Sequence, residues 1–225
     1  MLFDGGRPLV TLAGESVPVQ TDAARERLRF DDGAGIALEL VFDAASPAAE
    51  LDAAEPAARA GGMVRREQLC HVHGTVRIAD ETRDVRCLGQ RGQTHDGPDW
   101  DRVESTRTLA AWMDDGSAVV LSAVRPVGAP AHGSEETWAA VLGAAGALRV
   151  DEPRLSTTYD EEGRQRRAGL ELWVGEDDDH PRRAAGEVVC GAALDLGTLR
   201  LDCAFVRWRM AGRRGVGRYD LLRRA

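Results

Sequence analysis

The sequence predicts an all-β protein, an antiparallel lipocalin-like barrel or sandwich. Apolar and polar residues alternate with a period of two along many short segments, turn residues separate these segments, and no long segment has the period of an amphipathic helix. Such a series of short strands usually builds an antiparallel barrel or sandwich. The 225 residues are enough for one large β domain or for one and a half smaller ones.

The N-terminal part of the chain, up to residue 62, contains one clear strand followed by a linker. The segment GIALELVFDA, which ends at Ala44, alternates apolar and polar residues and predicts a strand. The next segment, AASPAAELDAAEPAARAGG at 44–62, is rich in alanine, contains Pro47 and Pro56, and ends in two glycines. It lacks a periodic apolar face, so we expect an exposed, protease-sensitive linker with at most a short helix between the prolines.

The rest of the chain predicts a meander of strands. Asp115 and Gly116 predict a tight hairpin turn, because glycine supplies the positive φ that such a turn needs. The alanines of TWAAVLGAAGAL at 137–148 favour a helix, but two internal glycines weaken that assignment. We therefore divide the chain into an N-terminal β-segment with its linker (1–62), which could add a partial β-layer, and a barrel domain (63–225). The predicted strands are LCHVHGTVRIA (69–79), DVRCLGQR (84–91), STRTLAAWM (105–113), SAVVLSAVRP (117–126), AGLELWVG (168–175), EVVCGAALDL (187–196), TLRLDCAFVRWRM (198–210) and RRGVGRYDLL (213–222).

The composition excludes several classes of function. All 29 basic residues are arginine, so Schiff-base catalysis, pyridoxal phosphate anchoring, the Walker loop and kinase chemistry lack their lysine. The net charge of −8 argues against nucleic acid and anionic membranes as partners, because both need a basic face. No apolar stretch reaches about 18 residues, so no membrane span is predicted.

Cysteine usage and the N-terminus bear on the cellular compartment. The four cysteines, at positions 70, 87, 190 and 203, form no CxxC pair, which argues against zinc ribbons and thioredoxin-type chemistry. The N-terminal MLFDGGRPLV lacks the basic and apolar regions of a signal peptide. These features predict a cytoplasmic protein with reduced thiols. No cofactor is predicted.

Four segments carry a resemblance to a known family: EQLCHVHGTV at 67–76, GQRGQTHDGPDW at 89–100, MDDGSAV at 113–119 and RMAGRRGVGRYD at 209–220. On the basis of these segments, the part of the chain from residue 64 to residue 222 resembles the hydroxyneurosporene synthase-like group, also called the AttH-like lipocalin-like superfamily. The resemblance implies a lipocalin-like β-barrel packed against a second β-layer. It also implies an apolar, often polyene, ligand, and cofactor-independent hydration, isomerisation or cyclisation as the candidate reactions.

The segment 89–100 matches the family motif at some positions and departs from it at others. Gly92 stands where the family has an aspartate, and Gln93 stands where it has a histidine. His95 falls at the tryptophan position, from which a shifted loop would let it replace the histidine. In the C-terminal motif, Asp220 stands where the family has glutamate. The matching residues are Gly89, Gln90, Arg91, Asp99 and Trp100, with Thr94 in place of a serine.

The candidate site is a loop over residues 89–100 at the mouth or wall of an apolar cavity. His95 and Asp99 are the candidate catalytic residues, because a histidine beside a carboxylate can exchange protons near neutral pH. Trp100 and Trp112 flank the loop and would give rigid apolar area to the cavity wall. The other candidate ligand contacts are Gln90, Arg91, Thr94 and His73. Arg91 and Arg107 could each bind a carboxylate of a ligand or pair with an acid of the chain.

Three functions stay open at this level. The first is a cofactor-independent enzyme acting on an apolar substrate, and the second is a non-catalytic carrier that uses the same cavity. The third and least supported is a metalloenzyme in which His71 and His73, on one face of a strand, bind a metal with His95. Gly92 and Gln93 favour the carrier, because they replace the acid and the histidine of the family motif.

Overall fold

The computed structural model of the chain is almost entirely β-structure, which confirms the predicted fold class. It describes residues 3–4, 7–8, 19–22, 25–130, 132–143, 146–175 and 180–225. None of the helices in these ranges is long and apolar enough to cross a membrane. The elements are β1 (Phe3–Asp4), β2 (Arg7–Pro8), β3 (Val19–Asp22), β4 (Arg25–Asp31), β5 (Ile36–Ala44), β6 (Ala49–Leu51), α1 (Pro56–Gly61), β7 (Val64–Ile78), β8 (Glu81–His95), β9 (Val103–Met113), β10 (Ala118–Pro126), a 3₁₀ turn (His132–Ser134), β11 (Glu136–Gly143), β12 (Gly146–Arg149), β13 (Glu152–Tyr159), β14 (Gln165–Trp173), β15 (Arg182–Asp195), β16 (Leu199–Met210) and β17 (Arg213–Arg224).

The second half of the chain folds into one antiparallel sheet of nine strands. Its order is β12-β11-β10-β9-β17-β16-β15-β14-β13, so the last strand of the chain lies beside β9. The predicted hairpin between β9 and β10 is present: Gly116 has a φ of 81°, and the Met113 amide donates to the Ser117 carbonyl at 2.8 Å. The sheet curls into a half-barrel, which brings β11 and β13 near each other.

The concave face of this sheet carries the main hydrophobic core. Alternate residues of the strands point inward, as the period of two requires. On β9 these are Leu109, Ala111 and Met113, and Trp208 and Tyr219 are fully buried among them. The core members are Leu109, Ala111, Met113, Val119, Leu121, Ala123, Ala139, Val150, Ala168, Leu170, Leu172, Val174, Ala184, Ala204, Val206, Trp208, Met210 and Tyr219.

The first half of the chain forms a separate sheet. Strands β3-β4-β5-β7-β6 follow one another in it, and β8 pairs with β7 along its whole length. Gly74 on β7 has a φ of 147°, and a Cβ added there would meet the Glu39 carbonyl of β5 at 2.0 Å. Glycine at this position therefore lets the backbones of β5 and β7 approach each other closely.

The chain divides into two compact units. One unit contains Met1–Glu50 and Met63–Gly97, and the other contains Leu51–Gly62 and Pro98–Ala225. One of the points at which the chain passes between the units lies between Gly62 and Met63. The long β7–β8 hairpin, which follows that boundary, belongs to the first unit, and the segment 51–62, which precedes it, belongs to the second.

The prediction of an exposed linker at 44–62 is wrong from β6 onward, where Ala49 is already buried. Leu51, Ala57 and Ala58 are buried, and α1 packs against β10 and β11. The helix starts at Pro56 rather than lying between the prolines. It ends at Gly61, and the next residue, Gly62, caps it with a φ of 61°. The alanines that suggested a featureless linker are instead the small side chains that allow this close packing. The ambiguous segment 137–148 lies in β11 and β12, apart from residues 144–145, which are outside the described ranges.

Candidate functional site

The segment GQRGQTHDGPDW is mostly strand rather than loop. Residues 89–95 continue β8 and pair with β7, where His95 lies opposite Val64. The chain turns only at Asp96 and Gly97, whose φ values are 64° and 61°. Asp99 then organises the next turn: its carboxylate accepts from the Asp101 amide at 3.1 Å, and its own amide donates to Gly61 at 2.8 Å.

Because 89–95 is a strand, its side chains alternate between two faces. Gln90 and Thr94 lie on one face of the β7–β8 hairpin, and Arg91 and His95 lie on the other. The register therefore separates four predicted site residues into two pairs. The motif spacing, which we interpreted as a single loop, does not bring all of them to one surface.

One face of the hairpin holds a buried carboxylate. Glu67 is 2% exposed and accepts hydrogen bonds from the Arg65 guanidinium and from the Gln90 amide. Gly92 lies directly opposite in the register, and a Cβ there would approach the Glu67 carboxylate to 2.7 Å. Glycine at 92 thus leaves the space that the Glu67 carboxylate occupies. We call Arg65, Glu67 and Gln90 the hairpin cluster.

The other face of the hairpin carries Arg91. Its Nε donates to the Gln68 side chain at 2.7 Å, and Gln68 donates in turn to the Ser46 carbonyl at 2.7 Å. Cys70, fully buried beside them, is shielded from water, and this burial raises the pKa of its thiol to about 11. The thiol is therefore protonated at neutral pH and is a poor nucleophile.

His71 and His73 line an open groove on the face that also carries Glu67. The groove has a volume of about 550 Å³ and is lined also by Arg86, Cys87 and Leu88. His73 lies 3.4 Å from the Asp43 carboxylate. His95 lies opposite Val64, which is seven residues from His71 along β7. Seven residues of a strand span roughly 23 Å. The three histidines cannot share one ion, and no group of three metal-binding side chains occurs among the residues the structure describes.

The two predicted tryptophans lie in the second unit. Trp112 is 8% exposed and lies on the face of β9 that points away from the half-barrel interior. Its indole N–H is buried without a partner among the described residues. Trp100 is half-buried in the turn before β9, and its carbonyl accepts a hydrogen bond from Arg224. Neither tryptophan is part of the interior core.

A buried ionic group of the nine-stranded sheet is centred on Arg107, on the interior face of β9. Its Nη1 donates to Thr157 Oγ1 at 3.0 Å and to the Tyr219 hydroxyl at 3.3 Å. Its Nη2 donates to the Glu135 carboxylate and to the Leu155 carbonyl, the latter at 3.4 Å. The side chains of Arg107 and Glu135 are 3% and 2% exposed. We call Arg107, Glu135, Thr157 and Tyr219 the interior polar cluster.

The interior polar cluster keeps Arg107 and Tyr219 protonated. Burial opposes the charge on Arg107, but Tyr219 and Glu135 outweigh it and raise the pKa of the guanidinium. Burial also raises the pKa of the Tyr219 hydroxyl well above its usual value. Both groups stay protonated at neutral pH and act as hydrogen-bond donors. The sequence singled out Arg107 but not Glu135, Thr157 or Tyr219, because they lie 28, 50 and 112 residues away.

The C-terminal motif RMAGRRGVGRYD has mainly a packing role. A Cβ at Gly217 would meet the Ala110 carbonyl at 1.9 Å, and one at Gly215 would meet the Trp112 carbonyl at 2.4 Å. The two glycines thus let β17 approach β9 closely. Arg218 donates to Asp220 at 2.8 Å and contacts Cys203 at 3.6 Å. Burial, with the nearby Asp220 carboxylate, raises the pKa of the Cys203 thiol.

Two solved structures share this fold. One is NE1406 of Nitrosomonas europaea, a protein assigned as AttH, with 15% identity and a TM-score of 0.66 over 91% of this chain and 67% of that one. The other is CghA, with 10% identity and a TM-score of 0.62 over 90% of this chain and 65% of that one. The chain spans about two thirds of the length of each of these proteins, and the likeness establishes an AttH-like fold.

Sequence comparison adds the family. No curated protein matches the sequence. A family model matches residues 3–225, which is nearly the whole chain. The chain therefore belongs to the family described as a domain of unknown function, DUF7064.

Proposed function

We propose that the protein binds an apolar small molecule, of the polyene, terpenoid or polyketide type, inside the half-barrel of its nine-stranded sheet. The observation that carries this proposal is the interior face, which is apolar over most of its area and polar at one end. The side chains beside the polar end are small: Ala123 lies opposite Arg107 in the register, and Ala204 lies opposite Tyr219.

The arrangement of the sheet supports entry of a ligand. Among the described strands β12 and β13 form its two edges and are not paired with each other. A half-barrel that is not closed by hydrogen bonds can widen between its edges more easily than a closed one. Closed eight-stranded barrels such as those of the lipocalins are wide enough to hold a single small ligand.

Binding without catalysis is the better supported form of this function. His95 is exposed, and the Asp99 carboxylate caps a turn. The interior groups Arg107 and Tyr219 stay protonated, so they supply hydrogen bonds rather than exchange protons. The second candidate is an enzyme that uses His95 and Asp99 for hydration, isomerisation or cyclisation. It is supported by the motif that the segment 89–100 partly matches.

The experiment is a binding titration with all-trans-retinol, an uncharged polyene, followed through energy transfer from tryptophan. We expect saturable binding to the wild type and at least a tenfold loss in Ala123→Leu, because the larger side chain fills the interior beside Arg107. The matched control is Ala185→Leu, which changes an exposed alanine of β15 in the same sheet. Binding that survives Ala123→Leu but falls in Ala185→Leu would contradict the proposal.

A further inference from the structure

The polar end of the half-barrel contains buried donors that no described residue satisfies. The Nε of Arg107 and the Oγ of Ser105 are buried without a hydrogen-bond partner among the described residues. Ser105 is 2% exposed and lies two positions before Arg107, so both side chains point to the interior. A third such atom is the Nε of Arg125, the residue directly opposite Ser105 in the register of β9 and β10.

Unsatisfied donors in one place have a cost that a ligand can remove. A buried polar group without a partner costs about 1–3 kcal/mol, so native proteins rarely keep several together. The two guanidinium nitrogens can only donate, and the serine hydroxyl can donate as well. The group that fits these atoms is therefore a hydrogen-bond acceptor.

The positive charges of Arg107 and Arg125 favour an anionic acceptor. Glu135 balances Arg107 through a buried pair. Arg125 has a weaker counter-ion: its Nη2 lies 3.7 Å from Glu104, whose side chain is 40% exposed. A carboxylate would neutralise the remaining charge and accept from both arginines, which bind carboxylates well because of their planar fork of donors.

We propose that Ser105, Arg107 and Arg125 bind the carboxylate of an otherwise apolar ligand, with its hydrocarbon part lying over the apolar interior. This inference rests on the proposed function and names its substrate class: long-chain carboxylic acids. The ligand would enter with its charged end toward these residues. Its apolar part would pack near Ala123 and Leu121, both 1% exposed and on the same face of β10.

The test compares cis-parinaric acid with its methyl ester, which keeps the polyene chain and removes the charge. We expect the acid to bind the wild type at least tenfold more tightly than the ester. Ser105→Ala and Arg125→Met should each weaken binding of the acid several-fold and leave binding of the ester unchanged. The control is Arg209→Met, which removes an exposed arginine of β16. Thermal unfolding of every variant checks that the fold is intact.

Each outcome separates the two proposals. If acid and ester bind equally and Ala123→Leu abolishes both, the carboxylate site is wrong and the proposed function stands. If neither probe binds the wild type, the proposed function fails and the carboxylate site fails with it. If the acid binds selectively but Arg209→Met weakens it as much as Arg125→Met does, binding follows overall charge and the carboxylate site is overturned.

Discussion

The two units of the chain each bury a carboxylate beside an arginine, but they do so differently. In the hairpin cluster, Glu67 is held by Arg65 on its own strand and by Gln90 on the adjacent one. In the interior polar cluster, Glu135 is held by Arg107, which also binds Thr157 and Tyr219 on two other strands. The first arrangement is local, and the second joins distant parts of the chain.

The exposure of the cation is the second difference. Glu67 and Glu135 are each 2% exposed, whereas the side chain of Arg65 is 21% exposed and that of Arg107 only 3%. A partly exposed arginine can turn toward water when its partner is removed, and a buried one cannot. The comparison therefore predicts that burial of the cation, more than sequence separation, sets the cost of breaking each pair.

The largest effect should come from the interior. Glu135→Ala removes the counter-ion of a buried guanidinium, and we expect a loss of about 3–5 kcal/mol in the free energy of unfolding. Urea denaturation followed by circular dichroism measures it. The double variant Arg107→Met/Glu135→Leu should recover most of the loss, because it removes both charges together. A loss below about 1 kcal/mol in Glu135→Ala would show that the pair is not buried in solution.

An intermediate effect should come from the hairpin cluster. Glu67→Ala leaves the Gln90 amide without its acceptor but lets Arg65 reach solvent, so we expect a loss of about 1–3 kcal/mol in the free energy of unfolding. Glu50→Ala is the control, because that carboxylate is 67% exposed and lies 3.7 Å from Arg66. Urea denaturation of both variants makes the comparison. Equal losses in Glu67→Ala and Glu135→Ala would remove the distinction between the clusters.

Gly92→Ala sharpens the same point from the opposite strand. The added Cβ would approach the Glu67 carboxylate to 2.7 Å, so the side chain must move. We expect a loss of about 1–3 kcal/mol in the free energy of unfolding, as for an overpacked site. In the double variant Glu67→Ala/Gly92→Ala the two losses should not add, because the first change removes the clash. Additive losses would mean that Gly92 is needed for its backbone and not for the space.

The sequence predicted the longer strands, because their signal is local. The period of two located most of β7 to β10 and β14 to β17, and the Asp115-Gly116 pair located one turn. The sequence analysis did not predict the burial of α1, because the buried face of this helix consists of alanines, which differ little in hydrophobicity from their neighbours. It also took residues 89–95 for a loop, because their glycines and polar side chains resemble a turn. Pairing with β7 overrides that preference.

The candidate site was less predictable than the fold. Gln90 and Arg91 are adjacent in sequence, yet the strand places them on opposite faces. The hairpin cluster could have been found from the sequence, since a glycine opposite a glutamate follows from the register once β7 and β8 are paired. The interior polar cluster could not have been found from the sequence, because only the strand order of the nine-stranded sheet brings Arg107 and Tyr219 together.

A smaller and pH-dependent effect is expected where a long-range pair is exposed. Glu55, just before α1, accepts two hydrogen bonds of 2.7 Å from Arg149, whose side chain is 50% exposed. The hydrogen bond from Arg149 lowers the pKa of the Glu55 carboxyl below its usual value. The pair therefore stabilises the protein above that usual value and is lost as the pH falls through the lowered pKa.

Arg149→Ala tests this dependence. We expect a loss of at most about 1 kcal/mol in the free energy of unfolding at pH 7, because one partner is half exposed. The difference between variant and wild type should shrink toward zero below the lowered pKa of Glu55, in urea unfolding measured between pH 7 and pH 3. Glu55 and Arg149 lie 94 positions apart in the sequence. A small loss would therefore show that burial of the cation, and not the separation in sequence, sets the cost of breaking an ion pair. A loss as large as that of Glu135→Ala would reverse the conclusion.

The smallest effect is expected at His95, the residue that the sequence made a candidate acid or base. It is exposed at the end of β8, opposite Val64, so its replacement removes no buried contact. We expect His95→Ala to change the free energy of unfolding by less than about 0.5 kcal/mol, the range of ordinary surface substitutions. Gln90→Ala, on the same strand, should cost about 1 kcal/mol because it removes a hydrogen bond to Glu67.

Retinol binding, measured on both variants beside urea unfolding, tests function separately from stability. Loss of retinol binding in His95→Ala with unchanged stability would contradict binding inside the half-barrel of the nine-stranded sheet.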